Sequence, residues 1–394
     1  MAIINREKAE ALIREQIIES IQQDAPKNSI FMQLARRLPN MTAKQTTMPV
    51  LDMLPTAYWV NGDTGFKQTT QAAWDNVKMT AAELAVIVPI PEAVLDDASF
   101  DIIGEITPRV NEAIGQRVDS AVIFGVNKPE EWGMDIISRA RVAGNNVALG
   151  SNPDYYNLIL GEGGVFSKVE DDGYGVTGIM AAMNMKAKLR GLRTNSGTPI
   201  FKSDMQGATT YALDGEPMYF PQNGSFDKSI AQMIVGDWNQ AVYSIRQDIT
   251  TKILDQGVIQ DPADGKIVYN LAQQDMIALR VVFRMGWALP NPATRMNENR
   301  EGCMFAYLEP ATAQTAQTVT FTVKDNAGSP AAIEGARIDV AGAILHTGSA
   351  GTAAFSLPAG TYPVKVTKDG FKTVNDTVTV ESSAVDKNIT MVAK

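Results

Sequence analysis

"VIVPIPEAVLDDASFD", residues 86–101, decides the fold. Val86, Ile87 and Val88 are consecutive and β-branched, so they read as a fully buried strand. Pro89 and Pro91 follow, then Asp96-Asp97, Ser99 and Asp101. Beyond Asp101 the period changes. Ile103, Ile106, Val110, Ile114, Val118 and Ala121 recur at three and four, while Glu105, Arg109, Glu112 and Asp119 fall off that stripe. The spacing predicts a helix from Asp101 to Phe124, about 36 Å long at roughly 1.5 Å per residue. Gly125 is placed to stop it. Pro108 removes a backbone donor and predicts a kink or a later start.

Upstream, residues 46–90 have β character. Two extended runs flank the polar, glycine-bearing "NGDTGFKQTTQ" (61–71), which predicts a long hairpin. Too few apolar residues surround Gly62–Gln71 to give the tip its own core, so it is expected to project and pack on a neighbour. Further upstream, "REKAEALIREQIIESIQQ" (6–23) places Leu12, Ile13, Ile17 and Ile21 at helical spacing, and Pro26 stops it. "SIFMQLARRLPN" (29–40) is a shorter apolar-basic piece ending near Pro39. Both read as an arm that lies on something else.

Downstream, residues 126–175 are rich in glycine and asparagine, with weak periodicity. From Val176 strand-like "GIMAAM" and "GEPMYF" alternate with helix-like "NMKAKLRGL", a mixed α/β pattern. "QMIVGDWNQAVYSIR" reads as a pair of strands, and "DMIALRVVFRMGWAL" (275–289) as one long strand. "FAYLEP" ends at Pro310, and "ATAQTAQT" (311–318) reads as a small polar linker. Without a large apolar residue it predicts a loose tether. Beyond it, about seven short β runs separated by turns such as "PAG" and "KDG" predict an all-β sandwich. Phe355, Tyr362, Val364 and Val366 are expected to point inward.

The chain of 394 residues, 45% of them hydrophobic, can bury two or three cores. Its net charge of −9 excludes the basic footprint of a nucleic-acid binder. Residues 312–394 carry seven basic and seven acidic side chains, so the whole excess lies in the first 311. A single cysteine, Cys303, excludes an internal disulfide and points to a reducing cytoplasm. The charged "MAIINREKAEALIREQ" lacks the apolar core of a signal peptide. No apolar run approaches the roughly 20 residues that span a bilayer. The expectation is a soluble protein without a membrane partner.

Candidate chemistry is sparse. His346 is the sole histidine and reads as an exposed or half-buried strand residue beside a turn. Cys303 reads as a buried free thiol. Asp96 and Asp97 read as charge at a helix N-terminus and not as a catalytic pair. "GEGGVFSK" lacks the ending of a phosphate loop, and "EDDGYG" lacks calcium-loop spacing, so both read as turns. Trp59, Trp74 and Trp238 read as core or interface. No catalytic, cofactor-binding or metal-ligating residue is assigned, and no enzyme is expected.

The ordered set "SIFMQLARRLPNMTAKQTTMPV", "AYWVNGDTGFKQTT", "VKMTAAELAVIVPIPEAVLDDASFDI", "EAIGQRVDSAVIFG", "LRGLRTNSGTPIF", "LDGEPMYF", "IVGDWNQAVYSIRQDI" and "LAQQDMIALRVVFRMGWAL" resembles the major capsid proteins of tailed bacteriophages, the Hong Kong ninety-seven fold. The resemblance covers nearly all of residues 1–311. It implies an α+β fold with an N-terminal arm (1–45), an extended β-hairpin loop (46–82), a peripheral domain (83–125 and 271–311) built on a long spine helix, and an axial domain (126–270). The arm-like sequence begins near Arg6, so a fused scaffold of the kind some members carry is expected to be absent or already removed. Some members cross-link a hairpin lysine to an asparagine; Lys67 lies at the tip, but no partner matches, so that chemistry is not carried over. "VTFTVKDNAGSPAAIEGARIDVAGA", "GTAAFSLPAGTYPVKVTKDGFK" and "ITMVAK" make residues 319–394 resemble an immunoglobulin-like or carboxypeptidase-regulatory-like β-sandwich. The function implied is a head protein that self-assembles into hexamers and pentamers of an icosahedral shell around DNA. Its implied partners are copies of itself, scaffolding and portal proteins, and enclosed DNA without sequence-specific binding. The virion is its implied place, with assembly in the host cytoplasm. Residues 312–394 would be an outward decoration, with a glycan or cell-surface ligand by analogy. The alternative from another class is a hydrolase or carbohydrate-binding protein with an accessory sandwich.

Overall fold

A computed structural model describes residues 28–60, 66, 67, 69–97, 101–150, 153–193, 211–261, 264–310, 316–327, 330–381 and 383–394. The helix expected over 6–23, with Leu12, Ile13, Ile17 and Ile21, lies outside the described residues. So do 61–65 of the hairpin tip, Ser99, and 311–315 of the linker.

The described chain starts with one helical turn, α1 (Phe31–Leu34), and a short strand, β1 (Arg36–Arg37). The hairpin follows as β2 (Gln45–Met53) and β3 (Ala73–Thr80), antiparallel from Gln45↔Thr80 to Met53↔Ala73. The register shifts between Leu51 and Met53, which leaves Asp52 as an extra residue in a bulge. The hairpin does not run on to residue 90 as the β character suggested. Ala81 is buried and its N–H bonds to the Lys44 carbonyl (2.8 Å), after which β4 (Ala82–Pro91) joins a different sheet. Two strands split by one buried alanine look like a single run to a propensity argument.

The opening stretch resolves into β4, a short helix α2 (Glu92–Asp97) and the long helix α3 (Ile102–Phe124). Asp96 and Asp97 close α2; they do not open the long helix. Asp101 caps it instead, accepting a hydrogen bond from the Gly104 N–H (3.0 Å). Pro108 sits inside α3 without ending it. In the turn just before it, Thr107 Oγ1 donates to the Ile103 carbonyl (2.8 Å). Val110, Ile114, Val118 and Ala121 of the predicted stripe are buried. Val86 and Ile87 are not: they are 36% and 44% exposed, so the strand expected to be fully buried is partly open among the described residues.

Residues 126–175 hold more order than their weak periodicity suggested: α4 (Ile136–Val142), β5 (Asn146–Ala148), α5 (Tyr155–Leu160) and α6 (Val165–Asp171). These helices are too short to show a repeat. Asp135 caps α4 and Asp154 caps α5 through side-chain oxygens. "GEGG" turns into α6, and Gly173 (φ +83°) follows its end. The chain continues through β6 (Gly178–Ala181), α7 (Met185–Arg190), β7 (Ala212–Leu213), β8 (Glu216–Tyr219) and β9 (Met233–Gly236). Then come β10 (Val242–Leu254), β11 (Val258–Gln260), β12 (Ile267–Asn270), β13 (Met276–Ala288) and β14 (Phe305–Glu309).

One sheet has the order β1-β10-β13-β4, and a six-stranded mixed sheet the order β5-β14-β9-β6-β8-β7. The stretch 271–311, expected in one peripheral piece, is therefore divided, because β14 pairs with β9 and β5 in the six-stranded sheet. The central strands β6, β9 and β14 are buried at every residue, as expected for strands covered on both faces. Trp238 packs edge-on against Phe305 (4.9 Å) and donates to the Gly178 carbonyl (3.0 Å).

Seven strands complete the chain: β15 (Gln317–Asp325), β16 (Arg337–Val340), β17 (Ala343–His346), β18 (Thr352–Leu357), β19 (Gly360–Thr367), β20 (Val374–Val380) and β21 (Val385–Met391). They form two sheets, β18-β15-β21 and β17-β16-β19-β20, over a core that includes Phe321, Phe355, Val364 and Val366. The sandwich packs on the body, more closely than a linker without large apolar residues suggests. The Met134 side chain belongs to this sandwich core, and its N–H bonds to the Ala341 carbonyl (2.9 Å).

By compactness the chain divides into two units. One contains Ala85–Asn111 and Thr251–Val281; the other contains Asn28–Leu84, Glu112–Thr250 and Val282–Lys394. The first exposes apolar side chains on β11 and β12, among them Val258, Ile267 and Val268. The second holds the hairpin, the six-stranded sheet and the sandwich.

Candidate functional site: the hairpin and its anchorage

At the end of the paired strands and beyond it, the hairpin carries large apolar side chains that stay exposed among the described residues. Trp59 is 104% exposed, Phe66 97% and Trp74 67%, with Tyr58 and Met53 also open. Exposed aromatics gathered on one hairpin are candidates for a contact surface. Trp59 and Trp74 do not enter a core. Trp238 is core.

The base of the hairpin is held by charge. Asp52, thrown out by the bulge in β2, and Asp75 on β3 face the same two guanidiniums. Arg300 Nη1 lies 2.7 Å from Asp52 Oδ1 and 3.2 Å from Asp75 Oδ2. Arg337, at the start of β16, reaches the same oxygens at 3.1 and 3.3 Å. Arg300 is buried and fixed further by donating to the carbonyls of Asn291 (2.8 Å) and Pro290 (3.1 Å). Burial alone would raise the Asp75 pKa; the Asn76 N–H and the two guanidiniums outweigh it and hold the carboxyl below its ordinary range. One residue on, Glu301 accepts from the His346 N–H (3.0 Å) and pairs with its ring. His346 is half-buried at the end of β17, as expected, but its partner was not foreseen. The arginine–aspartate pairs are separated by 225 to 285 residues. No local signal could have joined them.

The start of the described chain is anchored by Asp119. Read from sequence as an off-stripe polar residue of α3, it is in fact buried. It accepts from Ser29 Oγ (2.5 Å), the Ile30 N–H (3.1 Å), the Phe31 N–H (3.2 Å) and Asn223 Nδ2 (2.9 Å). Burial pushes its pKa up against the pull of those donors. Phe31 then packs on Trp287 (6.0 Å) and Tyr243 (6.1 Å).

Cys303 is buried, and burial pushes its thiol up to about 11, away from reactivity. Lys67 is exposed. Among the described residues, no group of three or more His, Cys, Asp or Glu is placed to hold a metal ion.

Comparison with known proteins is consistent along the chain. The phage capsid family matches residues 9–294, and the PEGA domain matches residues 332–392. The major capsid protein of Staphylococcus phage 80alpha is 26% identical over 286 residues, covering 72% of this chain and 83% of that protein. A solved structure from Microbacterium phage Oxtober96 is 33% identical with a TM-score of 0.68, covering 78% of this chain and all of that one. Another from Mycobacterium phage Cain is 29% identical with a TM-score of 0.69, covering 79% and 100%. The capsid of a native GTA particle shares the fold at 16% identity and a TM-score of 0.57.

Proposed function

Since the chain belongs to the phage capsid family, with the Hong Kong ninety-seven fold, and is a major capsid protein of the virion, we propose how its parts share the work of building a shell. Residues 1–45 act as an arm on neighbouring copies, with Asp119 fixing where the arm leaves the body. Residues 46–82 act as the extended loop. Residues 83–125 and 271–304 form the peripheral part. Residues 126–270, together with β14, form the axial part that meets at the centres of hexamers and pentamers. Residues 312–394 face outward, where they do not compete with packaged DNA for space, and a glycan or cell-surface ligand is the partner suggested by module analogy. Scaffolding and portal proteins join during assembly in the host cytoplasm. An acid-rich wall would enclose DNA without gripping its phosphates.

The observation that carries this reading is the exposure of Trp59 and Phe66 on a projecting hairpin. Such side chains are expected to be covered by a second copy of the chain. Trp59→Ser with Phe66→Ser should leave the subunit folded by circular dichroism yet reduce the yield of shells in sedimentation by about tenfold or more, the scale of a lost interface hot spot. Unchanged shell yield would remove the hairpin from the assembly contact. The hydrolase alternative is not favoured: Cys303, the one thiol, is buried.

A further inference from the structure

The sandwich is more than an appended module, because one of its faces is built to fit the rest of the chain. Arg337 and His346 are direct cross-strand partners on β16 and β17. Arg337 engages one carboxylate on each strand of the hairpin, Asp52 and Asp75. His346 engages Glu301, next to the arginine that shares those same carboxylates. The turn between β16 and β17 presents Ala341, in a left-handed conformation (φ +50°), whose carbonyl accepts from the Met134 N–H. Met134 and Val142, at either end of α4, pack on the sandwich core. Three separate ties thus run from one hairpin of the sandwich to the helix α4, to the loop before β14 and to the base of the extended hairpin.

We propose that residues 316–394 are an intrachain brace: Arg337 ties β2 to β3 at their base, alongside Arg300, and so fixes the direction in which the extended hairpin reaches a neighbouring copy. Arg300 alone could hold the two aspartates against the body. Arg337 adds a second guanidinium from a different part of the fold, so the hairpin base is gripped from two sides. Four alternating charges also leave neither arginine facing another without a carboxylate between them, the arrangement in which partly buried ion pairs contribute beyond an isolated surface pair. The consequence for assembly rests on the shell-building function above; the bracing itself does not.

Hydrogen exchange on the unassembled full-length subunit separates the two. In Arg337→Met, amides of 45–53 and 73–80 should exchange about tenfold faster or more, as expected when a local opening is made easier, while those of β15 to β21 keep their protection. The same variant should form fewer or less heat-stable shells. Lys387→Met, which removes a pair with Asp376 elsewhere on the sandwich, should change neither. If hairpin exchange in Arg337→Met matches the unaltered protein, the brace is wrong whatever assembly does. If exchange rises but the unaltered protein itself builds no shells, the brace stands and the shell-building function falls. Should Arg337→Met lose protection in the sandwich too, Arg337→Gln, which keeps a polar end but removes the guanidinium charge that faces Asp52 and Asp75, is measured with the same expected and contrary outcomes.

Discussion

Asp119 shows how much one side chain can decide. Its carboxylate satisfies two backbone N–H groups, a hydroxyl and an amide where the described chain starts. Asp119→Ala would strand those donors in a buried site, and loss of about 3 kcal/mol in chemical denaturation is expected. The sign of its pKa shift also matters. A raised folded pKa means folding favours the protonated form, so this group's contribution shrinks as pH rises through the folded value. Asp75 behaves oppositely. Its folded pKa lies below the ordinary 3.8, so its contribution is fully present above that value and is lost as pH falls through the folded one. Hydrogen exchange of β2 and β3 should accelerate as pH drops below 3.8 in excess of the intrinsic pH dependence; a hairpin indifferent to acid would remove Asp75 from the clamp.

Among the elements, the long helix was the most legible, and the reason is physical. Six apolar residues at regular spacing over about five turns can be satisfied by few other structures, and the structure buries four of them. Pro108 was read as a conflict, and α3 absorbs it. Its ring still removes one i→i−4 bond within the helix. Pro108→Ala should therefore raise the melting temperature of the unassembled subunit; a fall would mean that the helix depends on the bend. The seven-strand sandwich was legible for the same reason as the helix, since alternation sustained over many strands has one economical solution. Helices α4, α5 and α6 were not, because a helix of six or seven residues completes less than two turns and shows no period. The hairpin was legible as a hairpin, but not its end at Thr80, which depends on Ala81 being buried by distant residues.

At the scale of the whole molecule, sequence and structure part company over how the C-terminal domain is attached. Composition reports only that the linker has no large apolar residue. It cannot report that Arg337 and His346 will find partners contributed by distant stretches of chain. The capsid fold itself was legible because the ordered run of elements, and not any single motif, carries it; the charge cluster was not, because it exists only after folding. The account as a whole rests on surfaces left open in a single chain: Trp59 and Phe66 on the hairpin, Val86 and Ile87 on β4, Ile267 and Val268 on β12. Electron cryomicroscopy of the purified protein at high concentration tests this most directly. Closed shells of megadalton scale are expected, with Trp59 and Phe66 covered by a neighbouring copy and the sandwich seated at the hairpin base of its own chain. A monodisperse 42.6 kDa monomer under those conditions, or shells in which both aromatics remain in solvent, would contradict it.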